Sequence, residues 1–228
     1  MDQIKFYYLS RENSDRDIRM VKRFNILNLA VKRIECVDNK MLAEKNYENY
    51  GCQFGHLKMI KTFLDESTDP YGCFMEDDVH IKKTILTDIP FLISKIEQLN
   101  LDILLIGYLI NFYPATIKVS NNSFKLLEQP LIFANYPNDL WGSQCYILTR
   151  NHAKYLINKY NESYLDRILN GEKLTPFAAD WTITKDGNKA LVFPMYMIEE
   201  GNVNTNHQGQ INFHTNCHKI NYDKNKFV

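Results

Sequence analysis

The sequence predicts an α/β domain built on a Rossmann-like, mostly parallel mixed sheet flanked by helices. Two observations predict this class. Strand-like and helix-like segments alternate as β-α-β-α-β through the first half of the chain. Residues 101–108, LDILLIGY, form a nearly continuous apolar run, which is typical of a strand buried on both faces.

The first-half elements follow from local patterns. Leu57, Ile60 and Leu64 fall at helical spacing, and Asp88 and Pro90 sit where helices begin. In chain order, we expect a strand at 4–10, a helix within 10–29, a strand at 30–37, a helix at 51–66, a strand at 73–75, a helix at 88–100 and a strand at 101–108.

The pattern changes after residue 110. Residues 115–128 contain two β-like runs around Asn-Asn-Ser and predict a hairpin, which makes the sheet mixed. A strand at 143–150, an amphipathic helix at 151–160 and a last strand at 190–200 follow. We therefore predict one domain over residues 1–200, with an irregular segment, 201–228, packed on it. That segment is rich in Asn, His, Gln and Gly and shows little periodicity.

Composition excludes several classes of protein. Lys plus Arg equals Asp plus Glu at 27 each, so no net charge indicates a nucleic-acid partner. No apolar run approaches the ~20 residues of a membrane span, and the N-terminus lacks the pattern of a signal peptide. Five cysteines without a Cys-x-x-Cys pair favour reduced thiols. These features predict a cytoplasmic protein. They give no indication of its oligomeric state.

The strongest chemical feature is three consecutive acids, Glu76, Asp77 and Asp78, directly after an apolar strand. Ligands of parallel α/β sheets bind beyond the carboxyl ends of strands. Alternate residues of an extended chain share a face, so Glu76 and Asp78 can converge while Asp77 points away. Two such carboxylates suit Mg²⁺ or Mn²⁺. The alternative is a solvated acidic turn or a helix N-cap.

Five stretches of the chain, in order, resemble the motifs of one family. They are YYLSRENSDRDIRM (INLxRxxDRRxxM in the family), GCQFGHLKMIKTFLDES (GCxxSHL), YGCFMEDDVHI (xxLILEDDVxx), GSQCYILTRNHAKYLI (GTxAYLISRxGAxxLL) and, more weakly, TPFAADWTI (PxDxxL). The chain thus resembles glycosyltransferase family 25, the lipooligosaccharide-biosynthesis and procollagen-galactosyltransferase group with a GT-A fold, over roughly residues 4–184. Gly55 stands where the family has serine.

The resemblance implies transfer of a hexose, galactose or glucose, from a UDP-sugar to a hydroxyl, with inversion at the anomeric carbon. A Mn²⁺ or Mg²⁺ ion held by Asp78, with Glu76 or Asp77 helping, would neutralise the departing diphosphate. Asp180 is the candidate base that takes the acceptor's proton.

The nucleotide-binding candidates come from the end of the first strand and from one helix. Leu9, Ser10, Arg11 and Arg16 lie where the family grips the nucleotide. A solvated helix start is the alternative for both arginines, and Arg16 fits the family pattern better. The resemblance makes His56 a cleft residue, although a lone helical histidine is more often a core residue.

The acceptor and the remaining metal ligand are less defined. Trp141 and Tyr136 could stack on sugar rings, and Gly142 would allow close approach of the backbone to a ligand. A core position for Trp141 is an equal alternative. His207 is the preferred late metal ligand, whereas His214 and His218 are interpreted as incidental. The acceptor could be a glycan, a lipid-linked sugar or a protein hydroxyl.

Two other functions stay open. A non-catalytic GT-A-fold protein that binds sugars or nucleotides would share the fold, but retention of the costly acidic cluster argues against it. A metal-dependent phosphohydrolase also begins with acids at a strand end. It would need further acids, and only Asp180 and the pair Glu199 and Glu200 offer themselves.

Overall fold

A computed structural model describes residues 3–112, 125–128, 131–202 and 205–228. The elements found there alternate as the sequence predicts through the first half. They are β1 (Ile4–Ser10), α1 (Asp15–Leu27), β2 (Val31–Glu35), α2 (Asn39–Ala43), a 3₁₀ turn (Glu48–Tyr50), α3 (Gly51–Glu66), β3 (Tyr71–Met75), β4 (Val79–Ile81), α4 (Ile85–Gln98), β5 (Ile103–Leu109), β6 (Lys125–Glu128), β7 (Leu131–Asn135), β8 (Trp141–Thr149), α5 (Arg150–Lys159), α6 (Glu162–Leu169), α7 (Ala179–Thr182), β9 (Lys189–Phe193), β10 (Met197–Glu199) and α8 (Gln208–Asn221).

The central sheet has eight strands in the order β2-β1-β3-β8-β5-β9-β7-β6. Only β8 and β7 run against the other six in the described part of the chain. The predicted α/β class with a mostly parallel, mixed sheet is therefore confirmed. A second, two-stranded sheet pairs β10 with β4.

Helices cover both faces of the central sheet, and successive side chains of a strand point to opposite faces. Tyr7 packs with α3 and α5 on one side, whereas its neighbours Phe6 and Tyr8 pack with α1 and α4 on the other. All seven residues of β5 are buried, as its apolar run predicts. The result is a helix–sheet–helix sandwich.

The strand directions bring several chain segments to one edge of the sheet. β1 and β3 are parallel and end there at Ser10 and Met75. β8 is antiparallel to β3, so its first residues, from Trp141, lie at the same edge. The acids that follow Met75 are therefore next to the end of β1 and the start of β8.

Two predictions about local structure need comment. The segment expected to be irregular contains a helix, α8. Hydrophobic periodicity missed it because the side chains that attach α8 are polar: His214 and His218 bond to Glu199, and Asn221 Nδ2 donates to Ile110 O at 2.8 Å. The first arm and the turn of the predicted hairpin lie outside the described residues, and the part of its second arm that is described, β6, pairs with β7.

No helix in the described part of the chain is long and apolar enough to cross a membrane.

Candidate active site

The acidic residues after β3 lie in an interior, charged environment. Asp78 is buried, and its Oδ2 lies 3.0 Å from Arg16 Nη1. The same nitrogen lies 3.3 Å from Asp77 Oδ1, and Ser10 Oγ donates to Asp77 Oδ2 at 2.6 Å. A solvated acidic turn does not describe this arrangement. Ser10 and Arg16, both predicted to bind the nucleotide, thus each contact Asp77.

The charges around Asp78 are not balanced. Burial and the neighbouring Glu76 raise the pKa of Asp78 well above its usual range, and Arg16 offsets this only in part. Glu199, at the end of β10, is a further carboxylate close enough to raise that pKa. Asp78 Oδ1 is buried and accepts no hydrogen bond from the described residues. An unpartnered carboxylate oxygen with other carboxylates nearby fits a hard divalent cation such as Mn²⁺ or Mg²⁺.

Glu76 faces helix α3 and strand β8. Ser143 Oγ donates to its Oε1 at 2.8 Å, and His56 Nε2 lies 3.5 Å from the same oxygen. Burial opposes ionisation of Glu76, but His56 and Ser143 outweigh it and lower its pKa. Burial likewise disfavours the His56 imidazolium, but Tyr146, Cys52 and Glu76 raise the pKa of His56 overall. His56 is thus fully buried, yet it contacts the acidic cluster.

A cleft with a volume of about 590 Å³ opens beside Glu76. Its walls come from α3, the start of β8, α7 and α8, and include Cys52, Trp141, Ser143, Asp180 and His214. Glu76 and the predicted base Asp180 therefore line one cavity, which the sequence could not establish.

Asp180 is positioned by a glycine at the start of β8. Gly142 N–H donates to Asp180 Oδ1 at 2.7 Å. Gly142 has φ of 111°, and an added Cβ would also come within 2.8 Å of Leu109 N, so only glycine fits there. Burial raises the pKa of Asp180, and Glu76 adds to the rise. A raised pKa suits a carboxylate that accepts a proton near neutral pH.

Trp141, at the start of β8, borders the cleft, and Trp181 of α7 packs against it. Trp141 is 41% exposed and packs edge-on against Trp181, with ring centroids 5.4 Å apart. Lys185 Nζ lies 3.9 Å from both ring centroids. The core alternative for Trp141 is therefore wrong, and its stacking role stays a prediction.

Two residues lie in positions that do not suit their predicted roles at the site. Tyr136 is fully buried and packs against Tyr108, so it cannot stack on a sugar; its position just after β7 directs the ring into the core. His207 is exposed at the start of α8. The histidine near the acids is His214, whose Nδ1 lies 2.6 Å from Glu199 Oε2. His214 and His218 were wrongly interpreted as incidental, since α8 had not been predicted.

The remaining candidates differ in their contacts. Arg11 is exposed, and Arg16 is the predicted arginine whose side chain contacts the acids. Leu9 is half-buried, and a Cβ on Gly55 would approach its Cδ2 to 2.5 Å. Leu9 thus fills the space that the family's serine would occupy, which accounts for the glycine.

Several contributors to the site escaped prediction. Ser143 and Cys52 lie within two of the quoted family motifs but were assigned no role, and Glu199 was considered only as one member of an acidic pair. Arg19 and Arg23 fix the neighbouring Glu200: Arg19 binds it through two nitrogens, at 2.9 and 2.8 Å, and Arg23 Nη2 lies 2.7 Å from Oε1. Arg16, Arg19 and Arg23 are spaced by about one helical turn and all contact acidic residues. This spacing is the one sequence feature that could have predicted the contribution of Arg19 and Arg23.

The fold is a mixed α/β sandwich with an acid-lined cleft at one edge of its sheet, and the sequence comparison shows which class of protein it belongs to. The model of glycosyltransferase family 25 (LPS biosynthesis protein) matches residues 46–169, more than half of the chain. The chain belongs to glycosyltransferase family 25. As a glycosyltransferase it acts between a sugar donor and an acceptor.

Other comparisons give weaker likenesses. No curated protein matches the sequence. Among solved structures, A197 from STIV is similar with a TM-score of 0.47 and 10% identity, over 86% of this chain and 83% of that one. Mannose-1-phosphate geranyltransferase from Thermus thermophilus is similar with a TM-score of 0.48 and 10% identity, over 86% and 75% of the two chains. Nothing about the activity of this chain follows from either likeness.

Proposed function

We propose that this chain is a divalent-metal-dependent, inverting glycosyltransferase that moves a hexose from a UDP-sugar to a hydroxyl of a glycan, a lipid-linked sugar or a protein. The observation that carries the metal part is the buried, unpartnered Asp78 Oδ1 among Glu76, Asp77 and Glu199. The UDP-sugar and hexose parts rest on the family resemblance.

Glu76 and Asp78 are the residues that would hold Mn²⁺ or Mg²⁺. When bound, such an ion supplies positive charge beside the leaving diphosphate. Arg16 already contributes one positive charge to the same place, because its guanidinium lies 3.0 Å from Asp78. Ser10 keeps Asp77 oriented toward Arg16 by its hydrogen bond at 2.6 Å. His214 keeps Glu199 in place from the α8 side.

Asp180 would act as the base. Its Oδ1 accepts the Gly142 N–H, which fixes the carboxylate and leaves Oδ2 to take the proton from an acceptor hydroxyl in the cleft. Trp141 borders the same cleft and offers a flat ring to an acceptor sugar. Attack by the hydroxyl on the face opposite the leaving group inverts the anomeric carbon.

The test is a screen of nucleotide sugars for transfer, with and without Mn²⁺, followed by Asp180→Asn. We expect Asp180→Asn to abolish transfer, with donor binding by calorimetry unchanged. Normal turnover by this variant would show that another group is the base. A wild-type protein that binds the donor but transfers nothing to any acceptor would instead favour the non-catalytic alternative.

A further inference from the structure

Three side chains, two of which line the cleft, form a cluster whose chemistry differs from that of the acids. Cys52 and His56 are one helical turn apart on α3, and Glu76 follows β3. One ligand atom from each lies within 4.8 Å of the other two. Among the described residues no other group of three or more His, Cys, Asp or Glu side chains converges in this way.

We propose that Cys52, His56 and Glu76 form a binding site for Zn²⁺ or a similar thiophilic cation. Thiolate and imidazole are ligands that select zinc over Mn²⁺ and Mg²⁺, which prefer oxygen alone. Three protein ligands with a fourth position open to the cleft is a known arrangement of zinc. This cation site is distinct from the all-oxygen one at Asp78, although both include Glu76.

The orientation of the His56 ring suits a metal ligand. Its Nδ1 lies 2.9 Å from the hydroxyl oxygen of Tyr146, and the ring is fully buried. In the neutral ring, with Nδ1–H donating to Tyr146, Nε2 carries a lone pair that a cation can take in place of a proton. Nε2 is buried and has no hydrogen-bond partner in the described part of the chain. A histidine that is oriented through its other nitrogen is the usual outer-shell arrangement around zinc.

The spacing of the other ligands is close to what zinc needs. Bonds of roughly 2.0 Å in a tetrahedron place nitrogen and oxygen ligands about 3.3 Å apart. His56 Nε2 and Glu76 Oε1 are 3.5 Å apart, too far for a good hydrogen bond and near that separation. Ser143 Oγ holds the same carboxylate at 2.8 Å. Cys52 is exposed and lines the cleft, so the ion can enter from solvent.

One consequence rests on the proposed function. Zinc at this site would engage Glu76 and withdraw it from Asp78, so we expect zinc to inhibit transfer. Binding itself is tested without any activity measurement, and failure of either part is therefore seen separately.

Cobalt is the probe, because a thiolate bound to Co²⁺ gives an intense near-ultraviolet charge-transfer band that oxygen ligands do not give. Under reducing conditions, we expect one Co²⁺ per chain with this band, displaced by Zn²⁺ but not by excess Mg²⁺. Cys52→Ala should remove the band and weaken Zn²⁺ binding, measured against a chromophoric chelator, by more than about tenfold. Since Cys52 is exposed, this variant should fold normally.

Cys36→Ser is the matched control, since Cys36 is the other cysteine that is not buried. We expect it to keep the band and the Zn²⁺ affinity. Absence of the band in the wild-type protein, its persistence in Cys52→Ala, or its loss in Cys36→Ser would each overturn the proposed site.

Discussion

Arg16 Nη1 lies 3.0 Å from Asp78 Oδ2, while Oδ1 of the same buried carboxylate accepts no hydrogen bond from the described residues. One arginine therefore does not compensate the acids gathered at this edge of the sheet. The raised pKa of Asp78 expresses the same imbalance, since burial and Glu76 outweigh Arg16. The metal-free fold should carry a stability cost here.

Asp78→Asn tests that cost. A carboxyl whose folded pKa lies above its unfolded value of about 3.9 binds its proton more tightly in the folded protein. Its contribution to stability is complete below that value and is lost as the pH rises through the folded pKa. Without metal, we expect Asp78→Asn to be at least as stable as wild type, with an advantage that grows from pH 4 to 8. Thermal unfolding in chelator measures this, and a variant that is less stable at pH 8 would contradict it.

The arginines on α1 should differ in their effect on stability. Arg23 and Glu200 are both largely buried, with side chains 10% and 8% exposed, and Arg23 also donates to Val79 O. Removal of Arg23 therefore leaves this buried carbonyl without that donor and Glu200 with Arg19 as its remaining arginine partner. We expect Arg23→Ala to lower the free energy of unfolding by about 3 kcal/mol. Arg19 is 42% exposed, so Arg19→Ala, the control, should cost less than about 1 kcal/mol. Denaturant titration checks both, and equal losses would refute the distinction.

The contribution of Asp186 to stability should depend on pH. Lys159 Nζ and Tyr160 Oη donate to Asp186 Oδ2 at 2.8 and 2.6 Å. Burial opposes ionisation of Asp186, but these donors outweigh it and lower its pKa. Its contribution is therefore complete above the unfolded pKa of about 3.9 and is lost as the pH falls through the folded pKa. We expect Asp186→Asn to cost about 1–2 kcal/mol at pH 7 and progressively less below pH 4.

Asp65 is the control for that experiment. It pairs with Lys61 at 2.6 Å, but both side chains are more than half exposed. Asp65→Asn should change stability by less than about 0.5 kcal/mol at either pH. Denaturant titrations of both variants at pH 7 and pH 3 decide the matter. A loss for Asp186→Asn that stays constant with pH would show that the charge of Asp186 does not stabilise the fold.

Trp141 should affect the acceptor and leave the fold intact, because its ring is partly exposed at the edge of the cleft. If the ring stacks on the acceptor sugar, Trp141→Ala should raise the acceptor KM about tenfold, equivalent to about 1.4 kcal/mol. Trp141→Phe, the control, should retain most of the affinity. Steady-state kinetics measure both, and an unchanged acceptor KM in the alanine variant would remove Trp141 from the acceptor site.

The sequence predicted the fold well where side-chain pattern and burial coincide. The apolar run at 101–108 became β5, and the helical spacing of Leu57, Ile60 and Leu64 became α3. The sequence did not predict α8, because the face of this helix that contacts the domain consists of histidine, cysteine and asparagine. Such a face is attached by hydrogen bonds and leaves no hydrophobic period to detect.

For the site, sequence identified the residues of the acidic cluster but not their surroundings. Glu76, Asp77 and Asp78 are adjacent in the chain, and the pairing of β1 with β3 places Ser10 beside them. Tyr136 and Trp141 looked alike as aromatic residues near a glycine, and only the packing of β7 and β8 separates the buried ring from the exposed one. Contacts made across the fold, such as that of His214 with Glu199, cannot be read from spacing.

Calorimetric titration of UDP into wild-type protein and Asp78→Ala, each with Mn²⁺ and with chelator, tests the central proposal most directly. Asp65→Ala provides the control for loss of an acid elsewhere. We expect UDP to bind the wild-type protein and the control only when Mn²⁺ is present, and Asp78→Ala in neither condition. Binding to Asp78→Ala with wild-type affinity, or equal binding to the wild-type protein with and without Mn²⁺, would contradict a metal site at Asp78.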